Sequence, residues 1–188
     1  MAQLSRSIAA SGKDSYEVSG TPSLTGTVVN GNGTSQYGAH VFDNIALAAA
    51  DAANLISVFF QPYYTDASFD DPNLTLHLEN AASPAALTTS TNDVSGRSRT
   101  TGVAWIATGV GTGYVNSPDL KTEMATVLGL GGWSSGNSVN VISRGTGSGN
   151  SRWATYDNEV GMPPKLEINY TAGGVAVKAV YYARMRAA

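Results

Sequence analysis

Cysteine is absent from the 188-residue chain. That excludes a disulfide framework, a thiolate zinc site and a cysteine nucleophile. Histidine is scarce: His40 and His77 are the two copies. A histidine metal site or a Ser-His-Asp triad would need one or both, and neither stands in a metal-ligand motif. Charged side chains make up 13% of the chain, against the ~25% of an average domain. No apolar run reaches the ~18–20 residues of a membrane span. The N-terminal segment Met1–Ala10 lacks the apolar stretch of a signal peptide. The expectation is a protein made and folded in a cytoplasm, with no membrane partner. The length suits one domain, at ~100–200 residues each.

What is present is β-like. The chain is 42% hydrophobic and carries 21 glycines. This composition suits short strands joined by many turns, a sandwich or barrel. Val41–Ile45, Leu55–Phe60, Gly102–Ile106, Ser138–Ile142 and Lys165–Tyr170 read as strands. Leu74–Glu79 alternates cleanly, with Leu74, Leu76 and Leu78 on one face and Thr75, His77 and Glu79 on the other. Gly- and Asn-rich clusters at 30–34, 109–113 and 145–149 supply turns.

One short helix is expected near 118–128, with Ser117 as N-cap, Pro118 in its first turn and Leu120, Met124, Val127 and Leu128 on one stripe. Ala46–Leu55 has helical propensity but lies between two strands, and a loop or short turn is the favoured expectation. Residues 1–172 form the expected β-domain. Residues 173–188 read as an appended arm after the Gly173-Gly174 break. Its alternation places Lys178, Tyr182, Arg184 and Arg186 opposite the row that carries Tyr181.

Net charge is −3, unevenly placed. Residues 1–93 hold nine acids and two bases, and residues 94–188 hold five acids and nine bases. A nucleic-acid binder would show a basic patch and a high pI, so nucleic acid is not an expected partner.

The motifs weigh against catalysis. Gly132-Trp-Ser-Ser-Gly136 matches a nucleophile elbow, but that motif needs a strand before it and a helix after. Here the order is reversed, and no histidine follows to act as base. A Gly-rich turn anchored by Trp133 is expected instead. The glycine loops do not complete a phosphate-binding pattern. Asp66, Asp70 and Asp71, and separately Asp157, Asn158 and Glu159, could be imagined around calcium. They lack the spacing of a calcium loop and read as solvated turn acids. Neither metal nor cofactor is expected. Trp105 and Trp133 are expected in the core. Trp153, in a polar run with Tyr156 nearby, is expected as a surface ring that could meet a sugar. Trp153→Ala should then cost less stability than Trp105→Ala.

Several segments together resemble a β-sandwich (jelly-roll-like) module of bacterial surface proteins and phage virion proteins. They are Ser11–Glu17, Val41–Ile45, Leu55–Phe60, Leu74–Glu79, Thr91-Asn-Asp-Val-Ser-Gly-Arg-Ser-Arg-Thr-Thr-Gly-Val-Ala-Trp105, Ser117–Leu120, Gly132–Asn137 and Pro164–Tyr170. The resemblance implies an antiparallel jelly-roll sandwich with no catalytic residues. Taken with the absence of cysteine and of a signal-peptide stretch, it leads to the expectation of a structural protein of a bacteriophage virion, assembled in the host cytoplasm. A capsid decoration (cement) protein bound to the major capsid protein comes first, a tail or fibre component second. A homo-oligomer is expected, and the break and alternation of the arm, not the resemblance, make Lys178, Tyr181, Tyr182, Arg184 and Arg186 the expected docking residues. The alternative is a carbohydrate-binding or adhesin module of a larger secreted bacterial protein, with Trp153 and Tyr156 on its glycan face.

Overall fold

Strict alternation of apolar and polar side chains makes strands, and strands dominate the computed structural model, which describes residues 1–30, 33–158 and 161–172. In chain order they are β1 (Ala2–Ser7), β2 (Asp14–Val18), β3 (Thr21–Ser23), β4 (Val28–Asn30), β5 (Gln36–Phe42), β6 (Leu55–Gln61) and β7 (Tyr63–Tyr64). Then follow β8 (Asp70–Asp71), β9 (Asn73–Leu78), β10 (Val103–Ile106), β11 (Gly113–Tyr114), β12 (Val139–Gly145), β13 (Asn150–Ala154) and β14 (Lys165–Tyr170). The arm expected over 173–188, with all its docking side chains, lies outside the described residues, as does Glu159.

All pairings are antiparallel. A six-stranded sheet has the order β10-β9-β12-β5-β2-β3, and a three-stranded sheet the order β1-β14-β6. Their inner faces share one apolar cluster, with Leu74, Leu76 and Leu78 from β9 and Leu166 and Ile168 from β14. Phe60 on β6 ties the two sheets. Its ring stacks on His40 at 5.0 Å and meets the edges of Phe42 and Trp153 at 6.4 and 6.2 Å. The all-β expectation therefore holds, as does the single face of leucines on β9.

The helix is α1 (Lys121–Leu128), shorter at its start than expected. Ser117 does not cap it, because the outer edge of β6 takes Ser117 first. Phe60 N–H donates to Ser117 Oγ at 3.0 Å, and Val58 N–H donates to Asp119 Oδ1 at 2.8 Å. The backbone N–H groups of Ser117 and Leu120 return bonds to the Phe60 and Val58 carbonyls. Residues 117–120 thus cover a sheet edge that would otherwise expose unpaired backbone. Between β5 and β6, Ala49–Asn54 forms a 3-10 helix in which the Asp51 carboxylate accepts from Ala48 N–H at 2.8 Å. The expected loop there is a short helical connector instead.

Residues 80–102 form a strap over the outer face of the six-stranded sheet. The strap builds a second apolar cluster, in which Leu87 and Val94 cover Ala39, Val41 and Ile142. Arg97 fixes it. Its side chain is 8% exposed. Nε donates to the Asp93 carbonyl at 3.0 Å, and Nη1 to Glu79 Oε2 and the Ala85 carbonyl at 2.9 Å. Nη2 donates to the Ala86 carbonyl at 2.9 Å and to both Asp93 oxygens at 3.1 Å. All donors of the guanidinium are engaged. Glu79 in turn accepts from Asn140 Nδ2, and Asn140 Oδ1 accepts from His40 N–H, which carries the network into β12 and β5.

Removing the cation leaves two carboxylates without their partner. Arg97→Ala should therefore cost ~3–5 kcal/mol in urea unfolding. Arg97→Lys should recover little, because a compact ammonium cannot fill the planar fork. A loss under ~1 kcal/mol, the worth of an exposed ion pair, would show that the strap is held by its apolar contacts alone.

Candidate ligand cleft on the outer sheet face

The strap leaves part of the outer face open, and the register decides what stands there. Glu17 on β2 lies opposite Tyr37 on β5, Tyr37 opposite Arg144 on β12, and Arg144 opposite Thr75 on β9. Facing side chains on neighbouring strands come within ~4.5–5.5 Å at Cβ. Glu17, Tyr37 and Arg144 thus form a row along one wall of a cleft of about 400 Å³. Ser19, Gly20, Thr34, Ser35, Asn92 and Ser95 make up the rest of its lining, the rim.

The rim is held by backbone contacts. Asn92 N–H donates to the Gly20 carbonyl at 2.9 Å. Gly20 has φ +81°, and a Cβ there would overlap the Asn92 side-chain oxygen. Ser19 and Asn92 also take positive φ, 49° and 62°. Non-glycine residues in that region carry strain, and such strain gathers at functional sites.

Charge in the cleft is asymmetric. The Glu17 carboxylate is buried and accepts from Val94 N–H at 2.7 Å and Ser95 N–H at 3.2 Å. It anchors the strap. Arg99 sits over the Tyr37 ring at 5.4 Å and donates to the Ser95 carbonyl at 3.0 Å. Arg144 is exposed, and among the described residues no hydrogen-bond or ion-pair partner holds it.

The residues singled out in the sequence lie elsewhere. Trp153 is fully buried, not a surface ring. It faces inward on β13, donates to His40 Nε2 at 3.3 Å and packs against the edges of Phe60 and Tyr64. A ring with no exposed surface cannot meet a sugar, so Trp153 and Tyr156 make no glycan face. Tyr156 is 40% exposed and stands without it. The polar run around Trp153 misled because its polar groups turn to internal partners. Ser151 pairs with the Tyr64 hydroxyl, Thr155 bonds the Gly26 carbonyl, and the Arg152 guanidinium lies over Phe69.

Asp70 and Asp71 are stitches: they accept from Gly111 and Gly109 N–H at 2.8 and 2.7 Å. Asp66 caps a short turn at Ser68 N–H. Among the described residues no group of three or more His, Cys, Asp or Glu could hold a metal ion. The Gly132–Gly136 turn follows α1 and precedes β12, and Trp133 Nε1 anchors it to the Leu47 carbonyl at 2.9 Å. His77 is half-buried on the outer face and bonds the Thr100 carbonyl through Nδ1 at 2.9 Å.

No protein-family model matches the chain, and a search of curated proteins returned no match.

Two buried groups opposite each other on β2 and β5 titrate in opposite senses. Burial pushes Asp14 up to about 7, against the Tyr156 N–H bond that favours its charge. Burial pushes His40 down to about 3. The folded state favours protonated Asp14, so that stabilisation is complete below its ordinary 3.8 and is lost as pH rises through about 7. It favours neutral His40, so that stabilisation is complete above 6.5 and is lost as pH falls toward about 3.

Asp14→Asn removes the first slope and leaves the second. The variant's Tm should fall more steeply than the wild type's from pH 6.5 down to 3.8, and gain on the wild type as pH rises through about 7. Parallel Tm curves would contradict these assignments. Trp153→Ala should cost ~3–5 kcal/mol, as large a loss as Trp105→Ala. A small loss in urea unfolding would return Trp153 to the surface.

Proposed function

We propose that the chain is a non-enzymatic structural protein of a bacteriophage particle, a decoration protein seated on the major capsid protein as a homo-oligomer. Its sheets form a jelly-roll-type sandwich in this proposal, and assembly takes place in the host cytoplasm. The observation that carries it is the open edge at β10. Among the described strands β10 pairs with β9 alone, and Ile106 on it is 72% exposed. Lone proteins protect such edges, because unpaired backbone beside an apolar side chain invites another chain. Subunits of an assembly cover each other's edges by strand addition.

The resemblance to virion modules supports the same role. The arm over 173–188, which lies outside the described residues, completes the proposal: Lys178, Tyr181, Tyr182, Arg184 and Arg186 dock on a neighbouring subunit. Buried acids that serve as backbone acceptors, such as Glu17 and Asp70, suit a protein whose task is to hold shape.

The test is co-sedimentation of the full chain with particles from its source. The wild type should be found in the particle fraction. Ile106→Lys, and the triple variant Lys178→Glu, Arg184→Glu, Arg186→Glu, should each lower incorporation at least tenfold with Tm unchanged. Absence from particles, or incorporation indifferent to both variants, would overturn the proposal. Recovery within a larger secreted polypeptide would favour the adhesin alternative.

A further inference from the structure

We infer that the Tyr37–Arg144 cleft binds a carboxylate-bearing sugar unit of an acidic saccharide. This goes beyond a particle role, and a surface-exposed particle protein could use such a site to meet a glycan.

Arg144 is the free charge of the cleft among the described residues. Its guanidinium is exposed and unpartnered among the described residues, in a protein where the other strongly placed arginine, Arg97, is fully engaged. A guanidinium fork matches a carboxylate with two parallel bonds. Arg99 adds a second positive charge beside Tyr37. The one acid in the wall, Glu17, has its oxygens turned to the Val94 and Ser95 N–H groups. An anion is the ligand that this wall attracts.

The rim restricts which anion. Ser19, Asn92 and Ser95 line it with hydroxyl and amide groups, of which Ser95 Oγ donates to Asn92 Oδ1 at 3.4 Å, leaving the Asn92 amide N–H groups as donors and the hydroxyl oxygens as acceptors. Such groups read the hydroxyls of a sugar, whereas phosphate sites use clustered cations and backbone N–H nests. Polyanions such as nucleic acid are disfavoured by the net charge of −3. A polyol with a single carboxylate satisfies both wall and rim.

The cleft is also preformed. Register sets the backbone positions of Arg144 and Tyr37, and Asn92 is held by the Gly20 carbonyl in a left-handed conformation. The backbone frame then needs little ordering on binding, and the cost falls on the rotamers of the Arg144 side chain.

The experiment titrates the full chain with sodium D-glucuronate by ligand-observed NMR at low salt, with D-glucose and sodium acetate as comparisons. Glucuronate should bind at least tenfold more tightly than either. Arg144→Gln should lower glucuronate affinity at least tenfold with Tm unchanged. Asn92→Gly, which keeps the left-handed backbone and removes the amide, should lower it several-fold. No glucuronate binding, equal binding of glucose or of acetate, or full affinity in Arg144→Gln would each overturn the inference. The readout is independent of particle incorporation, so either idea can fail alone.

Discussion

The guanidinium of Arg97 holds the strap to the sheet, and the outer half of the molecule depends on that contact. A bare six-stranded sheet would leave Ala39, Val41 and Ile142 facing water on its far side. The strap covers them with Leu87 and Val94, but a segment without regular strands carries backbone carbonyls that need partners. Arg97 satisfies those of Ala85, Ala86 and Asp93. Two carboxylates, Glu79 and Asp93, make its burial tolerable. Glu17 answers from the other side by accepting the Val94 and Ser95 N–H groups. The same contacts place Asn92 and Ser95, so the cleft is a product of how the second cluster is closed.

Much of the inner architecture was legible. Leu74, Leu76 and Leu78 face inward as their alternation requires, and Trp133 anchors its turn. Period-2 patterning reports which face is buried, and burial is what strand packing enforces. The helix start was not legible, since Ser117 suits an N-cap and an edge cover equally well. Pairing with β6 takes Ser117, and Asp119 Oδ1 serves both the Val58 N–H and the first helical N–H, that of Lys121. Trp153 misled for a related reason. A polar neighbourhood in sequence says nothing of where its polar groups find partners, and here those of Ser151 and Thr155 find them inside.

The cleft left almost no trace in the sequence. Tyr37, Arg144 and Asn92 are far apart along the chain, and only register and the strap bring them together. A faint signal did exist in Ser19-Gly20, where a turn must take positive φ, and in the density of Ser, Asn and Arg over 91–99. Structural acids and ligand acids also look alike in sequence. Asp70 and Asp71 could have been metal ligands until the glycine loop at 109–111 was seen to receive them.

The strap folds as part of the sheet, pinned by Arg97 and Glu17. Native-state hydrogen exchange at the Val94 and Ser95 amides reports on this. Amides bonded to a buried carboxylate inside a cooperative unit exchange through global opening. Protection of both should match that of the β5 and β12 core amides and should fall with it under mild urea. Exchange of Val94 and Ser95 far ahead of the core, with the core unaffected, would mean that the strap opens on its own and is not part of the sheet's cooperative unit.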